Sequence, residues 1–350
     1  MNTKAVKSKI KLSFQPRQVV KRLLAVLSPR GRDVLESRYG LGKNEETMTL
    51  ESIGKLYKIT RERVRQIENY SVALIQKSDA YKKEKVAFDE MKITLKSLGG
   101  IIAEDELLDI LCSAPSIRNA VHFLLVIGEP FKLKKEDVDF HHRWYVDDEL
   151  MERIERSLKN LYEGLSDKDI IPESEMITSF LDSIKDISEE YKSHEIAKRW
   201  LSLSKRLGRN PLGEWGVFTS PNIKVKGMRD FAYLAIRRHG SPMHFTEVAR
   251  TIQELFDREA HVATCHNELI KDARFVLIGR GLYALKEWGY SPGIVRDVIR
   301  ELIKKEGPLT KEEILSKVLK ERYVKQNTVL VNLQNNSYFR RAKDGKYHVA

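Results

Sequence analysis

From residue 228 to residue 350 the chain writes one pattern twice, and that repetition constrains the fold more than any other feature. The segments 228–290 and 291–350 each open on an amphipathic helix, 230–239 in the first and 295–305 in the second. Each then turns at glycine and proline (Gly240-Ser241-Pro242; Gly307-Pro308), runs a second helix (245–256; 311–320) and a third, and closes on a strand pair. The closing strands are 275–278 and 282–285 around Gly279-Arg280-Gly281, and 338–341 and 347–349 around Lys343-Asp344-Gly345-Lys346. A period near sixty residues makes each copy one small structural unit, which buries its apolar faces internally or against a neighbouring copy. Two weaker copies precede these, ending near Arg143-Trp144-Tyr145-Val146 and Glu214-Trp215-Gly216-Val217-Phe218.

Three helices and a glycine-turned hairpin spell a winged helix. The expected fold is mainly α with small β-wings: an N-terminal four-helix helix-turn-helix domain followed by tandem winged-helix domains. The boundaries read as a flexible basic arm at 1–16, the helix-turn-helix domain at 17–83, winged-helix-like units at 90–148 and 149–222, and clearer ones at 226–290 and 291–350. The best linker is 219–227, punctuated by Ser220-Pro221-Asn222 and Gly227; the charged stretch 80–92 could instead run on as one helix.

Ahead of the repeats, Val20, Leu23, Leu24 and Leu27 recur at helical spacing, and Ser28-Pro29 supplies an N-cap with proline at the first helical position. A second helix runs to about Tyr39 and ends at Gly40-Leu41-Gly42. Thr49 caps a helix carrying Leu50, Ile53 and Leu56, and after a short turn through Lys58 and Ile59, Thr60 caps another that extends to about Ser78. Two capped helices joined by so short a turn form a helix-turn-helix. The first thirteen residues, with four lysines, read as a mobile arm.

The net charge of +12 is unevenly placed along the 350 residues. Residues 1–83 carry 19 positive and 8 negative side chains, 84–225 carry 20 and 27, and 226–350 carry 23 and 15. Basic excess at the two ends is the footprint of phosphate-binding surfaces, while the acidic middle faces solvent or a basic partner. Cys112 and Cys265 stand far apart and read as reduced thiols; with no signal peptide and no apolar run beyond 120–127, the sequence points to a cytoplasmic protein without a membrane segment. No nucleotide loop, nucleophile elbow or paired-carboxylate motif occurs, so no catalysis, cofactor or small-molecule substrate is expected. His261, Cys265 and His266 lack a second ligand pair and read as packing or surface positions, not a metal site. Trp144, Trp200, Trp215 and Trp288 read as core and strand residues.

The stretch Thr60-Arg61-Glu62-Arg63-Val64-Arg65-Gln66-Ile67-Glu68 carries the functional signal. On a helix, Val64 and Ile67 face inward towards Ile53 and Leu56, and Arg61, Glu62, Arg65 and Gln66 form two i, i+4 pairs on the outer face. Arginine donates two hydrogen bonds to guanine, glutamine pairs with adenine and glutamate accepts from cytosine, and these residues sit at the helix N-terminus that a recognition helix directs at bases. A surface helix with weak solvated pairs has the same spacing. The residue order decides between them. The runs 27–41 (LSPRGRDVLESRYGL), 49–54 (TLESIG) and 59–68 (ITRERVRQIE) closely resemble region 4 of the sigma-70 family of bacterial RNA polymerase sigma factors, over about residues 17–78.

That resemblance implies binding of promoter (−35-like) duplex DNA and contact with the β flap of RNA polymerase core. By motif position it puts DNA contacts on Arg61, Glu62, Arg65 and Gln66, with Thr60 as the cap that orients them. After Glu68 the family continues with a basic helix end, whereas Asn69-Tyr70-Ser71-Val72-Ala73-Leu74 is mostly uncharged. Only about sixteen residues precede the match, with no promoter-melting region 2, so the expected role is recruiting or positioning rather than initiating alone. Segment 228–290 more loosely resembles the HARE-type helix-turn-helix through Phe231-Ala232, Gly240-Ser241-Pro242-Met243-His244-Phe245 and Gly279-Arg280-Gly281-Leu282-Tyr283-Ala284-Leu285. Wing residues Arg280, Arg340, Arg341, Lys343 and Lys346 are candidate phosphate contacts, or simply polar turns. The rival to a DNA-reading transcription protein is a polymerase accessory subunit that bridges proteins.

Overall fold

Side-chain caps set the helix boundaries in the first eighty residues. The computed structural model describes residues 10–112, 114–290 and 293–350. Among these, Ser28 accepts a hydrogen bond from the Gly31 amide at 3.3 Å to start α2 (Pro29–Tyr39), which follows α1 (Pro16–Leu24). Gly40, at φ 63°, ends α2 in the left-handed conformation that glycine adopts without a Cβ clash. Thr49 and Thr60 cap α3 (Leu50–Tyr57) and α4 (Arg61–Lys77). The described chain separates into two units, each taken by itself below: 10–209 with 214–219, and 210–213 with 220–350.

In the first unit α4 is followed by α5 (Asp79–Lys83) and α6 (Lys85–Ser97), broken at Glu84. Then come β1 (Ile101–Ala103), α7 (Glu104–Leu111), α8 (Pro115–Ile127), β2 (Lys132–Lys134) and β3 (Arg143–Tyr145), with β3 central in an antiparallel sheet between β1 and β2. The order recurs as α9 (Asp148–Glu163), the single residue Ile171, α10 (Glu173–Ser183), α11 (His194–Leu201), β4 (Leu207–Arg209) and β5 (Trp215–Val217). Ile171 bridges antiparallel to Trp215, so it takes the place that β1 holds in the previous copy.

One hydrophobic cluster joins Val19, Val20, Leu23 and Leu24 of α1 to Ala120, Val121 and Leu124 of α8, and takes in Ile75 of α4 and Phe88 and Met91 of α6. The helix-turn-helix segment and the first repeat therefore share a core. Leu12 is buried in it, and the Ile10 amide donates to the Ile110 carbonyl at 3.1 Å. Residues 10–13 thus differ from the mobile arm expected: Ile10 and Leu12 gain more from burial than the short segment loses in freedom, and the remainder of that expectation, 1–9, lies outside the described residues. The second copy is locked to the first by Arg199, whose guanidinium donates to the Leu98 carbonyl (2.8 Å) and to Glu106 (3.3 Å), and by the Trp200 indole on the Gly99 carbonyl (3.2 Å).

The second unit holds α12 (Met228–His239), β6 (Met243–His244), α13 (Phe245–Phe256), α14 (Val262–Lys271), β7 (Phe275–Gly279) and β8 (Leu282–Leu285), with β8 between β6 and β7. It repeats the order as α15 (Val295–Glu306), Leu309, α16 (Lys311–Glu321), α17 (Gln326–Leu333), β9 (Phe339–Arg341) and β10 (Tyr347–Val349), with Leu309 bridged to Tyr347. Buried Asp230 accepts from the amides of Lys226 (3.0 Å) and Gly227 (3.2 Å) and from Arg274 (2.8 Å), fixing the start of α12 against β7. No described helix is long and apolar enough to cross a membrane.

Arg322, 2% exposed, joins the two copies of this unit by donating to the carbonyls of Leu277 (2.5 Å) and Gly293 (2.9 Å). Replacing Arg322 by alanine removes charged hydrogen bonds and leaves a void, and is expected to cost about 3 kcal/mol. Denaturant unfolding of the full chain, with amide exchange on β7 as the local readout, checks this loss.

Candidate nucleic-acid interface

The helix α4 is placed by a turn with no slack. Thr49 Oγ1 accepts from the Ser52 amide (3.1 Å) to start α3, and Ile59 N donates to the Gly54 carbonyl (2.9 Å) to close the turn after it. A Cβ on Gly54 would lie 2.7 Å from the Ile59 carbonyl oxygen, so α3 and the turn approach as closely as only glycine allows. Lys58 at the C-cap of α3 sits at φ 55°, a left-handed conformation unfavourable to a side chain. Thr60 Oγ1 then accepts from the Arg63 amide at 3.1 Å, satisfying one of the first-turn donors of α4.

Val34, Ile53 and Val64 form the fully buried centre of this motif, flanked by Met48, Leu50, Tyr57, Ile59 and Ile67. Leu56, expected in that core, is 61% exposed. The close approach at Gly54 turns the stripe 50, 53, 54, 57 inward, and Tyr57 takes the place expected of Leu56.

Arg61, Glu62, Arg65 and Gln66 all lie on the exposed side of the first turns of α4. Further pairs join them to one another and to Arg63. Arg65 makes a two-point ion pair with Glu62, Nε to Oε2 at 2.9 Å and Nη2 to Oε1 at 2.7 Å, and Arg63 Nη1 donates to Gln66 Oε1 at 3.0 Å. Both pairs are i, i+3, and Gln66 also reaches Glu62 at i, i+4. The hydrogen bond from Arg65 holds the Glu62 carboxyl below its ordinary value, so it is ionised at neutral pH. These pairs face water and are readily exchanged for a ligand. Arg63, missed in the sequence, is exposed here too and lines a cleft of about 650 Å³ with Arg30, Gln66, Tyr70 and Leu74. Its signal was present as the middle arginine of Arg61-Glu62-Arg63-Val64-Arg65.

In the uncharged second half of α4, Ser71 and Ile75 turn inward while Tyr70 stays exposed. Ser71 is 2% exposed beneath α2, where a Cβ on Gly31 would meet its Oγ at 2.8 Å, and Ile75 enters the shared core. Tyr39 donates to Glu68 at 2.8 Å, and burial, with the Glu68 charge beside it, pushes its pKa far above the ordinary value. Those positions brace the helix from its inner side.

In the second unit Arg280 is exposed at the β7–β8 turn, and Arg340, Arg341, Lys343 and Lys346 are exposed on the β9–β10 hairpin. Cys265 is buried, which pushes its thiol up to about 11; the His266 ring stacks on Phe245 at 4.2 Å, and His261 is exposed. Trp144, Trp200 and Trp215 are buried in sheets and core, and Trp288 packs half-buried beside β7 and β8.

This geometry coincides with a sequence likeness confined to the same segment. Residues 23–77 match the family Sigma-70, region 4. Curated relatives agree over that stretch. RNA polymerase sigma factor SigA1 of Synechococcus elongatus is 54% identical over 52 residues, covering 15% of this chain and 13% of the relative. SigA of a Nostoc species is 52% identical over 52 residues with the same coverage, and RpoD of Neisseria gonorrhoeae is 45% identical over 51 residues, 15% of this chain and 8% of its own length. The chain thus spans about an eighth of the first two relatives, and the likeness is to their region 4 alone.

The caps make the region 4 segment tunable without touching its outer face. Lys58→Gly relieves the left-handed strain and is expected to raise stability by about 1 kcal/mol. Thr60→Ala removes the α4 cap and is expected to lower it by about 1 kcal/mol. Thermal unfolding of the two variants against the unaltered chain measures both signs.

Proposed function

We propose that this chain is a DNA-binding transcription protein that meets duplex promoter DNA of the −35 type through the first turns of α4 and works with bacterial RNA polymerase core, with the β flap as its contact. The observation that carries the reading is the exposed set Arg61, Glu62, Arg65 and Gln66, mounted at a capped helix N-terminus inside the region 4 match. Arginine and glutamine at these positions have donor and acceptor patterns that match guanine and adenine edges, and Glu62, on exchanging its exposed pair with Arg65, accepts from cytosine N4. Arg63 and Arg30 flank them, where phosphates would run. The protein acts by binding and performs no catalytic step, at the nucleoid in the bacterial cytoplasm.

We infer further that the four copies of helix, strand, helix, helix, strand, strand are winged-helix modules, 228–290 being of the HARE type. Their shared element order, with the first strand pairing to the last, supports that reading. A bridging role between proteins is favoured by a different observation: Val262 and Ile270 on α14 and Leu277 on β7 are exposed at 42%, 62% and 50%.

Affinity for duplex DNA against salt concentration tests the leading reading. Arg61→Ala/Arg65→Ala in the full chain is expected to weaken binding by roughly tenfold or more, since each good arginine–guanine contact contributes about 1–3 kcal/mol. Unchanged affinity in that variant, with binding indifferent to salt, contradicts it.

A further inference from the structure

Between α1, α2 and the start of α8 the first unit holds a cavity of 510 Å³ that no residue of α4 lines. Arg17 and Lys21 stand one turn apart on its α1 wall, and Arg32 of α2 completes a set of three cations. Arg32 is half-buried, and its Nε donates to the Leu24 carbonyl at 3.2 Å, which holds the guanidinium in place. Among the described residues no carboxylate pairs with Arg17 or Lys21. The start of α8 adds to this charge: Ala114 at its N-cap offers the first amides no side-chain acceptor, and Ser116 of that turn lines the cavity. Three cations beside an uncapped helix start concentrate positive potential in one recess, which favours phosphate.

The rest of the lining suits more than a bare anion. The volume falls within the roughly 300–1,000 Å³ of small-molecule sites, well beyond the needs of a single phosphate. Glu36 shares the cavity with the cations. Its carboxylate repels an isolated phosphate but accepts hydrogen bonds from hydroxyl and amino groups. Gln15 and Gln18 bring paired donors and acceptors, and Val20, Leu24, Leu41 and Ala120 give apolar surface for a flat ring. Cations for phosphate, a carboxylate for hydroxyls, and apolar surface edged by carboxamides together match the three parts of a nucleotide.

We propose that this cavity binds a nucleoside polyphosphate, with Arg17, Lys21 and Arg32 on the phosphates and Glu36 on a ribose hydroxyl or a base amino group. Gly40, Leu41 and Gly42 also line it, and they begin the loop that Asn119 of α8 clamps at the Gly40 and Glu45 carbonyls. An occupant therefore bridges α1, α2 and α8, the contact that positions α3 and α4, and stabilises the folded chain by mass action. The site stands whether or not α4 reads DNA.

Isothermal titration of the full chain with ATP, GTP, adenosine and inorganic triphosphate, without DNA, tests the site. ATP or GTP is expected to bind saturably at a single site, more weakly as salt is added. Adenosine, which has no phosphate, is expected to show no measurable binding, and inorganic triphosphate to bind about tenfold more weakly than the nucleotide. Arg17→Ala/Lys21→Ala is expected to weaken nucleotide binding roughly tenfold or more, as the loss of two charge-assisted contacts requires. Glu36→Ala is expected to weaken the nucleotide and not inorganic triphosphate. Amide exchange in the bound chain is expected to slow at residues 40–42 and in the first turn of α8. Absence of saturable binding by either nucleotide overturns the proposal, as does undiminished affinity in Arg17→Ala/Lys21→Ala. Equal affinity for inorganic triphosphate and nucleotide overturns it too, since the recess would then be a general anion site. So does protection confined to the first turns of α4, which would put the nucleotide on that face instead. Circular dichroism melts of the unliganded variants matching the unaltered chain show that the substitutions leave the fold intact.

Discussion

The packing of α1 against α8 is the contact on which the N-terminal unit depends. The helix-turn-helix proper has three fully buried apolar side chains, Val34, Ile53 and Val64, too few to hold four helices. Val19, Val20, Leu23 and Leu24 supply what is missing by burying against the following repeat, at about 2 kcal/mol for each side chain removed from water. Asn119 of α8 adds a polar clamp, donating to the carbonyls of Gly40 and Glu45 at 3.0 and 2.8 Å and so fixing the loop that leads to α3. The orientation of α4 is thereby set by a neighbour outside the region 4 match.

That arrangement divides α4 along its length. Its first two turns touch the core through Val64 and Ile67 and carry charge outward; its later turns, through Ser71 and Ile75, are anchored under α2 and in the shared core. Under the proposed function α4 holds side chains to within a fraction of an ångström of base edges, which needs such a brace. Glu68 serves it from the side, accepting from Tyr39 and facing Arg38 at 3.5 Å.

Much of this was legible in the residues because caps and glycines act locally. Ser28, Thr49 and Thr60, each followed by a helical apolar stripe, placed three helix starts, and Gly40, Gly281 and Gly345 marked turns that the backbone makes at positive φ. The outward set on α4 followed from helical period alone. What escaped was tertiary. Which of Leu56 and Tyr57 turns inward depends on the approach at Gly54, a distance no local pattern encodes. The first strand of each repeat, as short as the single residues Ile171 and Leu309, is defined only by its partner across the sheet. Burial of Ile10 and Leu12 likewise depends on a surface a hundred residues away, around Ile110.

The central claim is that the outer face of α4 reads base sequence, and selection of bound sites from a pool of random duplexes tests it most directly. The full chain, with and without polymerase core, is predicted to enrich a short shared sequence whose preferred base changes at a single position when Gln66 is replaced by alanine. Recovery of no shared sequence, or of the same one from a chain carrying both Arg65→Ala and Gln66→Ala, would contradict the account.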